Sequence, residues 1–450
     1  MKRKIFSVLF ALVLVVSLVV GGVLPRATPV EAQGTIIYVP ADNATIQVAV
    51  DSASSGDTII VAANLTDNYT ENVDVTTNNL TIQGAGSANT TVEAANAALP
   101  VFNVTANNTT IKNFTITGAT GSSGVRIDGS NCKIDSDNIS GNYNGIQIAG
   151  RENRIRRNTI TGNSNYGIYF VSSTIGDGWN DVQYNNITGN TKCGAYADIK
   201  PGEPYWMQGA GFNYWGDDSG PSGSGPGTGD AVNDYVWYNP WLNDSFSAIL
   251  ASGIADISMA IPLQTGWNTL ATPLALTGVD NANRWDQIVT NSGLTYDAAY
   301  TYDPDTPAWV ELEPSSTTVL NPLDAVFIQM SSPGTVTLKV SIATTPPPTK
   351  TLSAGWNLLG SAMAITEREL EMWKVLKSVE QTPAGKVGYI MVVSPPLATQ
   401  PSWVYVRGQE ETTGFEWQKM DFGRGYWIYM ENIDEMAGFG STPITARVWD

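Results

Sequence analysis

Between residues 79 and 213 apolar and polar residues alternate in short runs, and asparagine stands at the head of one run after another. Asn79-Leu80-Thr81-Ile82, Asn108-Thr109-Thr110-Ile111, Asn131-Cys132-Lys133-Ile134, Asn153-Arg154-Ile155 and Asn180-Asp181-Val182 step by 29, 23, 22 and 27 residues. A second series, led by Asn113, Asn138, Asn158 and Asn186, steps by 25, 20 and 28. A period of two, as in Thr110 to Thr117, suits a strand with one buried face. Thr, Ile, Val and Tyr supply β propensity, and glycines such as Gly118, Gly141, Gly162 and Gly189 mark the turns.

A repeat of roughly 20 to 25 residues is too short for a βαβ unit, so each repeat is expected to form one strand-only coil stacked on its neighbours. The expected class is all-β: a right-handed parallel β-helix solenoid followed by two small β-rich modules. Asparagines aligned at a shared corner would pass hydrogen bonds between side-chain amides from coil to coil.

The opening segment carries a resemblance. Ala44 to Ala53, Gly56 to Val61, Tyr69 to Val73 and Leu80 to Gly86 resemble the first coils of right-handed parallel β-helix proteins of the pectin-lyase-like superfamily. The resemblance implies that Thr45 to Ala53 is an amphipathic helix covering the first coil, whose edge would otherwise be unpaired. Asn213-Tyr214-Trp215-Gly216, with the residues to Ser222, Gly229 to Val232 and Pro240 to Leu242, resembles the closing coil of that superfamily's surface-protein branch. It spans about residues 35 to 245 and implies a fold but no activity, because the superfamily holds lyases, hydrolases, isomerases and non-enzymatic proteins.

Beyond Leu242 a different duplication begins. Gly266-Trp267-Asn268 returns as Gly355-Trp356-Asn357, 89 residues later, and Val326 to Met330 returns as Tyr426 to Met430, 100 residues later. Each copy carries a helix candidate, Trp285 to Thr290 and Leu370 to Val379, then an aromatic strand. The copies resemble modules of exported surface proteins with no assigned chemistry. The expected organisation is a signal peptide at 1–32, a β-helix at 33–245, modules at 246–343 and 351–450, and a Pro-rich linker at 344–350.

The signal reading rests on Lys2-Arg3-Lys4, the apolar run from Ile5 to Leu24, and the small-residue site Val30-Glu31-Ala32. Export to the cell surface or beyond is expected, with an uncleaved N-terminal anchor as the one route to a membrane. Residues 33–450 keep 20 basic and 41 acidic residues, a formal charge of −21. Nucleic acid would be repelled, and an extracellular or cell-envelope polysaccharide is the expected partner. Sequons such as Asn43-Ala44-Thr45 and Asn138-Ile139-Ser140 recur because an Asn corner before a Thr-rich strand writes them.

The chain has no histidine. Ser-His-Asp, Cys-His and His-metal chemistry are therefore excluded, which leaves carboxylates, Arg, Lys, Tyr and bound cations. Arg151, Arg154, Arg156 and Arg157 form a basic cluster, with Asp135 and Asp137 about one coil earlier. In β-helix polysaccharide lyases a basic side chain removes the proton beside a uronate whose charge calcium neutralises. By that resemblance Arg154, Arg156, Asp135 and Asp137 are the catalytic candidates, if all four share the outward face. The alternative is a salt-bridge ladder between coils.

Asp217, Asp218 and Asp230 are the candidate ligands for calcium, the one cofactor considered, against a solvated loop. Trp403, Trp417 and Trp427 are the candidate glycan platform, while the matched positions of Trp267 and Trp356 favour core packing. Cys132 and Cys193 leave open a disulfide or two buried thiols. The leading expectation is a non-catalytic surface protein, structural or glycan-binding. The alternative is a polysaccharide lyase or glycoside hydrolase working on the outer groove.

Overall fold

A computed structural model describes residues 34–437 apart from short interruptions, the longest at 172–179, 199–207, 249–255, 342–348, 361–368 and 409–417. The expected signal segment, most of the Pro-rich linker and Trp417 lie outside the described residues.

The repeats wind into a parallel solenoid whose coils feed three sheets of nine, eight and six strands. Alternation decides the register. Ile59, Ile82, Ile111, Ile134, Ile155 and Val182 are successive partners in the first sheet, and each is at most 1% exposed. Val92, Ile116, Ile139, Ile160 and Ile187 form the matching stack of the second. Val125, Ile146, Ile168 and Ala195 do so in the third. Each such isoleucine contributes roughly 1.5–3 kcal/mol by burial, and a slip of one residue would turn a whole strand inside out.

Ile46–Ser52 is the expected helix over the first coil. The Thr45 hydroxyl accepts from the Val48 N–H, and the Glu71 carboxylate of the next coil accepts from Ile46 and Gln47, both at 2.9 Å. Three orphan donors of the first turn are thereby satisfied, and the helix is tied to the solenoid.

The asparagines divide into two kinds. Asn79, Asn108 and Asn131 adopt left-handed backbone conformations at an exposed corner, with φ of 62°, 57° and 56°. Asn153 and Asn180 are buried instead, one position further along their coils. Lys133 pairs with Arg154, so Asn131 lies level with Glu152, and Asn153 lies level with Cys132. The first series is therefore two interleaved structures, because the isoleucine stack sets the register regardless of where asparagines fall.

The buried kind builds ladders. At one corner the Cys132 N–H donates to Asn153 Oδ1 and the Asn153 N–H to Asn180 Oδ1. At the next, the Phe114, Asp137, Asn158 and Asn185 N–H groups donate to the side chains of Asp137, Asn158, Asn185 and Asn213 in turn, at 2.7–2.9 Å. At the third, Ala119, Asn142 and Asn163 donate to Asn142, Asn163 and Asn190. The rung amides also reach back to carbonyls, as Asn158 Nδ2 does to Ile134. Cys132 and Cys193 are unbonded thiols, the first buried with its Sγ donating to the Ala106 carbonyl.

The C-terminal part is antiparallel. Trp241–Leu242 pairs with Asp256–Leu263, which pairs along its whole length with Gly334–Ser341. Two four-stranded sheets follow, and they share one topology. In the first, Gly266–Ala271, Ala325–Met330, Ala298–Asp303 and Ala308–Glu311 lie in that spatial order. In the second, Gly355–Gly360, Gly425–Met430, Tyr389–Ser394 and Trp403–Val406 do the same.

The helix expected from Trp285 is present as Trp285–Ser292. Its expected counterpart at 370–379 begins instead in a strand, Glu369–Glu371, paired with Lys419–Asp421; residues 372–374 lie outside the described residues, Val375 is helical, and a 3-10 turn, Lys377–Val379, closes the segment. The start of the segment is held extended by the pairing of Leu370 with Met420, which is buried.

The two sheets meet face to face. Ala271 and Ala325 of one lie against Gly360 and Gly425 of the other, where an added Cβ would come within 2.6 Å and 2.9 Å of the alanine methyls. Arg424 crosses the junction, donating to the carbonyls of Thr269 at 3.2 Å and Pro262 at 2.9 Å. Its burial pushes the guanidinium down from its usual range.

Candidate functional site

Where the small residues end, the two sheets diverge and leave an aromatic cleft of about 580 Å³. Alternation builds its first wall. Trp267 and Gln329 are cross-strand partners, as are Phe327 and Tyr300, so all four emerge on one face. Trp309, on the edge strand, is 51% exposed. Trp427, with Pro395, Pro396 and Leu397, closes the cleft from the second sheet. Trp309 meets Trp427 at 5.5 Å and Phe327 at 5.6 Å, both edge to face. Tyr302 abuts Trp427 at 5.1 Å, also edge to face. In each such contact the edge of one ring packs on the face of another, which fixes the orientation of the rings.

Trp267 and Trp356 are each 39% exposed, which corrects their expected place in the core. The inward position belongs to the neighbouring asparagine. Asn268 accepts from the Gln264 N–H and donates to the Gln264 and Gly266 carbonyls. Asn357 repeats this with Ser353 and Gly355. Each buried amide closes its own turn, and period two then points the preceding tryptophan out.

Of the platform candidates, Trp427 lines the cleft. Trp403 does not, because it faces the opposite side of the sheet and stacks on Tyr426 at 5.5 Å. Trp309 and Tyr300 are the cleft residues missed in the sequence. Their signal was the run Ala299-Tyr300-Thr301-Tyr302 followed within eight residues by a second short strand.

On the solenoid, Arg154, Arg156 and Asp135 share the outward face of the first sheet, but Asp137 is buried, 2% exposed. It was expected outside because alternation was carried through the corner. The left-handed Ser136, φ 62°, breaks that alternation and turns Asp137 into the ladder. Its Oδ1 accepts from Phe114, its Oδ2 is buried without a partner, and desolvation holds the carboxyl well above the usual range.

Asp135 is bound by Arg157, whose Nε donates at 2.8 Å, and Arg156 is bound to Asp181. The hydrogen bond that Arg157 donates to the Asp135 carboxylate raises the Arg157 pKa further, away from what a proton-abstracting base requires.

The calcium candidates are dispersed. Asp230 ends the third ladder, accepting from the Gly189 and Asn190 N–H groups and from Asn190 Nδ2 at 2.8–2.9 Å. Asp217 is exposed and caps its own loop through Ser219, which lowers its pKa, while Asp218 faces Lys339 at 3.4 Å. Among the described residues no three His, Cys, Asp or Glu side chains converge to hold a metal.

The comparisons bear on the N-terminal half. Residues 46–219 match the family model of the right handed beta helix region. Solved structures similar to the chain include the pectin methylesterase PemA from Erwinia chrysanthemi, 12% identical, over 46% of this chain and 81% of that one, with a TM-score of 0.29. The Escherichia coli protein YbhC is 14% identical, over 48% and 77%, with a TM-score of 0.26. A search of curated proteins finds no match.

Proposed function

We propose that this is an exported cell-surface protein whose β-helix is a spacer and whose C-terminal aromatic cleft binds a glycan without transforming it. The cleft carries this reading. Trp267, Trp309 and Trp427 line it with indole surface of the kind on which the C–H faces of a sugar pack, and among the described residues no carboxylate or basic side chain lines it. Gln329 beside Trp267 and Glu311 beside Tyr300 stand at the rim, where hydroxyl groups would need partners. Chemistry on the solenoid is disfavoured by the pairing of Arg156 and Arg157 with carboxylates.

Affinity electrophoresis through a panel of soluble polysaccharides tests it. At least one neutral glycan is expected to retard the protein, with Trp309→Ala weakening binding about tenfold or more, about 1.4 kcal/mol. Release of reducing sugar or unsaturated product, abolished by Arg154→Ala or Arg156→Ala, would overturn the non-catalytic reading and establish the lyase or hydrolase alternative.

A further inference from the structure

The aromatic surface does not stop at the cleft. Trp427, which closes the cleft from the second sheet, also meets Trp356 at 6.3 Å, and Trp356 meets Tyr429 at 5.2 Å, both edge to face. Trp356 and Tyr429 are cross-strand partners, and Met391 and Val406 continue their row on the next two strands. None of the four is buried, and none carries a charge. Single exposed apolar side chains are ordinary, but a row of them that continues a cleft marks a binding surface.

The fold does not require an indole at position 356. Asn357 closes its turn through its own amide, with Ser353 and Gly355, and alternation turns the side chain at 356 outward whatever it is. The corresponding tryptophan of the first module, Trp267, lines the cleft. Duplication has thus placed one outward indole in each module, and both adjoin the contact between Trp309 and Trp427. Trp267 does so through Tyr300, which lies 6.2 Å from it and 6.3 Å from Trp309, and Trp356 does so through Trp427 itself. The Ser353 hydroxyl donates to Asp305 at 2.6 Å, which ties the turn before Trp356 to the hairpin that carries Trp309.

We infer that Trp356 and Tyr429 form a second subsite, on the second module, and that the preferred ligand is an uncharged, linear, β-linked polysaccharide long enough to engage both it and the cleft. The inference rests on the glycan-binding reading of the cleft and extends it from a short segment of sugar to a chain held at two points. An uncharged chain is selected because, among the described residues, no charged side chain lines the cleft or belongs to the row. An extended β-linked chain carries ring C–H faces along its whole length and so reaches from one indole group to the next, whereas a single sugar or a coiled chain does not. Holding one chain at two fixed points makes the second contact an intramolecular step and raises affinity without a new kind of contact.

Titration calorimetry of the intact chain with mixed-linkage β-glucan and with cellotriose tests this. The polymer is expected to bind about tenfold or more tighter per occupied site than the trisaccharide. Trp356→Ala should remove that advantage and leave cellotriose binding unchanged, which also shows that the variant is folded. Trp356→Leu keeps apolar area without a ring and should behave in the same way, whereas Trp309→Ala should weaken both probes. Equal affinity for the two probes, a polymer affinity untouched in both Trp356 variants, loss of cellotriose binding in both, or binding of another polysaccharide while neither probe binds would each overturn this proposal and leave the glycan-binding reading of the cleft in place. Failure of every glycan in the electrophoresis panel to retard the protein would overturn both.

Discussion

The solenoid and the paired sheets bury the same side chain, asparagine, for opposite purposes. In the solenoid the buried rung amides link one coil to the next: Asn158 receives the N–H of Asp137 and donates to Ile134 of the coil before and to Asn185 of the coil after. In the C-terminal sheets Asn268 and Asn357 close their own turns. A parallel stack leaves backbone groups at every corner that no neighbour within the coil can reach, so the bonds must run along the axis. An antiparallel sheet turns back within a few residues, and one side chain closes the gap. Repetition by stacking therefore produces a continuous network, whereas repetition by duplication produces two separate copies of one local device.

The comparison is tested most severely at Asn158. Asn158→Ala strands the Asp137 N–H and the Ile134 carbonyl inside the protein and leaves a void. The expected loss is roughly 3–5 kcal/mol of unfolding free energy, read by chemical denaturation. Neighbouring coils should lose hydrogen-exchange protection together, because the bonds are shared along the axis. Asn357→Ala removes as many hydrogen bonds, yet its turn borders solvent and water replaces the lost partners in part. Roughly 2 kcal/mol is expected there, with exchange changes confined to residues near Ser353 and Gly355. Equal losses at the two sites would remove the distinction.

The solenoid was legible because an isoleucine every second residue and a turn every few leave one economical arrangement. Its corners were harder to read. Asn131 and Asn153 are the same letter, one held at φ 56° on the surface and the other fully buried, and only the pairing of Ile134 with Ile155 tells them apart. Asp137 was misplaced for the same reason: a single left-handed residue resets the inside-outside phase. In the C-terminal part the duplication showed which positions correspond, but polarity was a poor guide to burial. Asn268 is inside and Trp267 outside because a turn's unpaired amides outweigh the apolar area of one indole. Trp427 was legible from its match to Phe327, whereas the cleft itself depends on how two sheets meet, which no local pattern records.

The smallest and most discriminating effect concerns Asp137, the one carboxyl among the middle rungs of a ladder. Its register counterparts Asn158, Asn185 and Asn213 each accept an N–H and donate through Nδ2 to the carbonyl of Ile134, Ile155 or Val182. Only a protonated carboxyl can reproduce both roles. The unpartnered Oδ2 marks where the donor belongs, and Asp230, which ends its ladder, needs only to accept. The charged groups near Asp137 are Asp135, which opposes ionisation, and its partner Arg157. Since the folded pKa lies above the unfolded value, the stabilisation is fully present below the ordinary aspartate range. It is lost as pH rises through the raised folded value. Asp137→Asn should match the native protein at acidic pH and exceed it at neutral and alkaline pH, by roughly 1–2 kcal/mol, with that part of the pH dependence gone. Parallel stability curves for the two proteins across this range would show that the ladder carries an ionised carboxylate after all, and the requirement that every inner rung both accept and donate would fail.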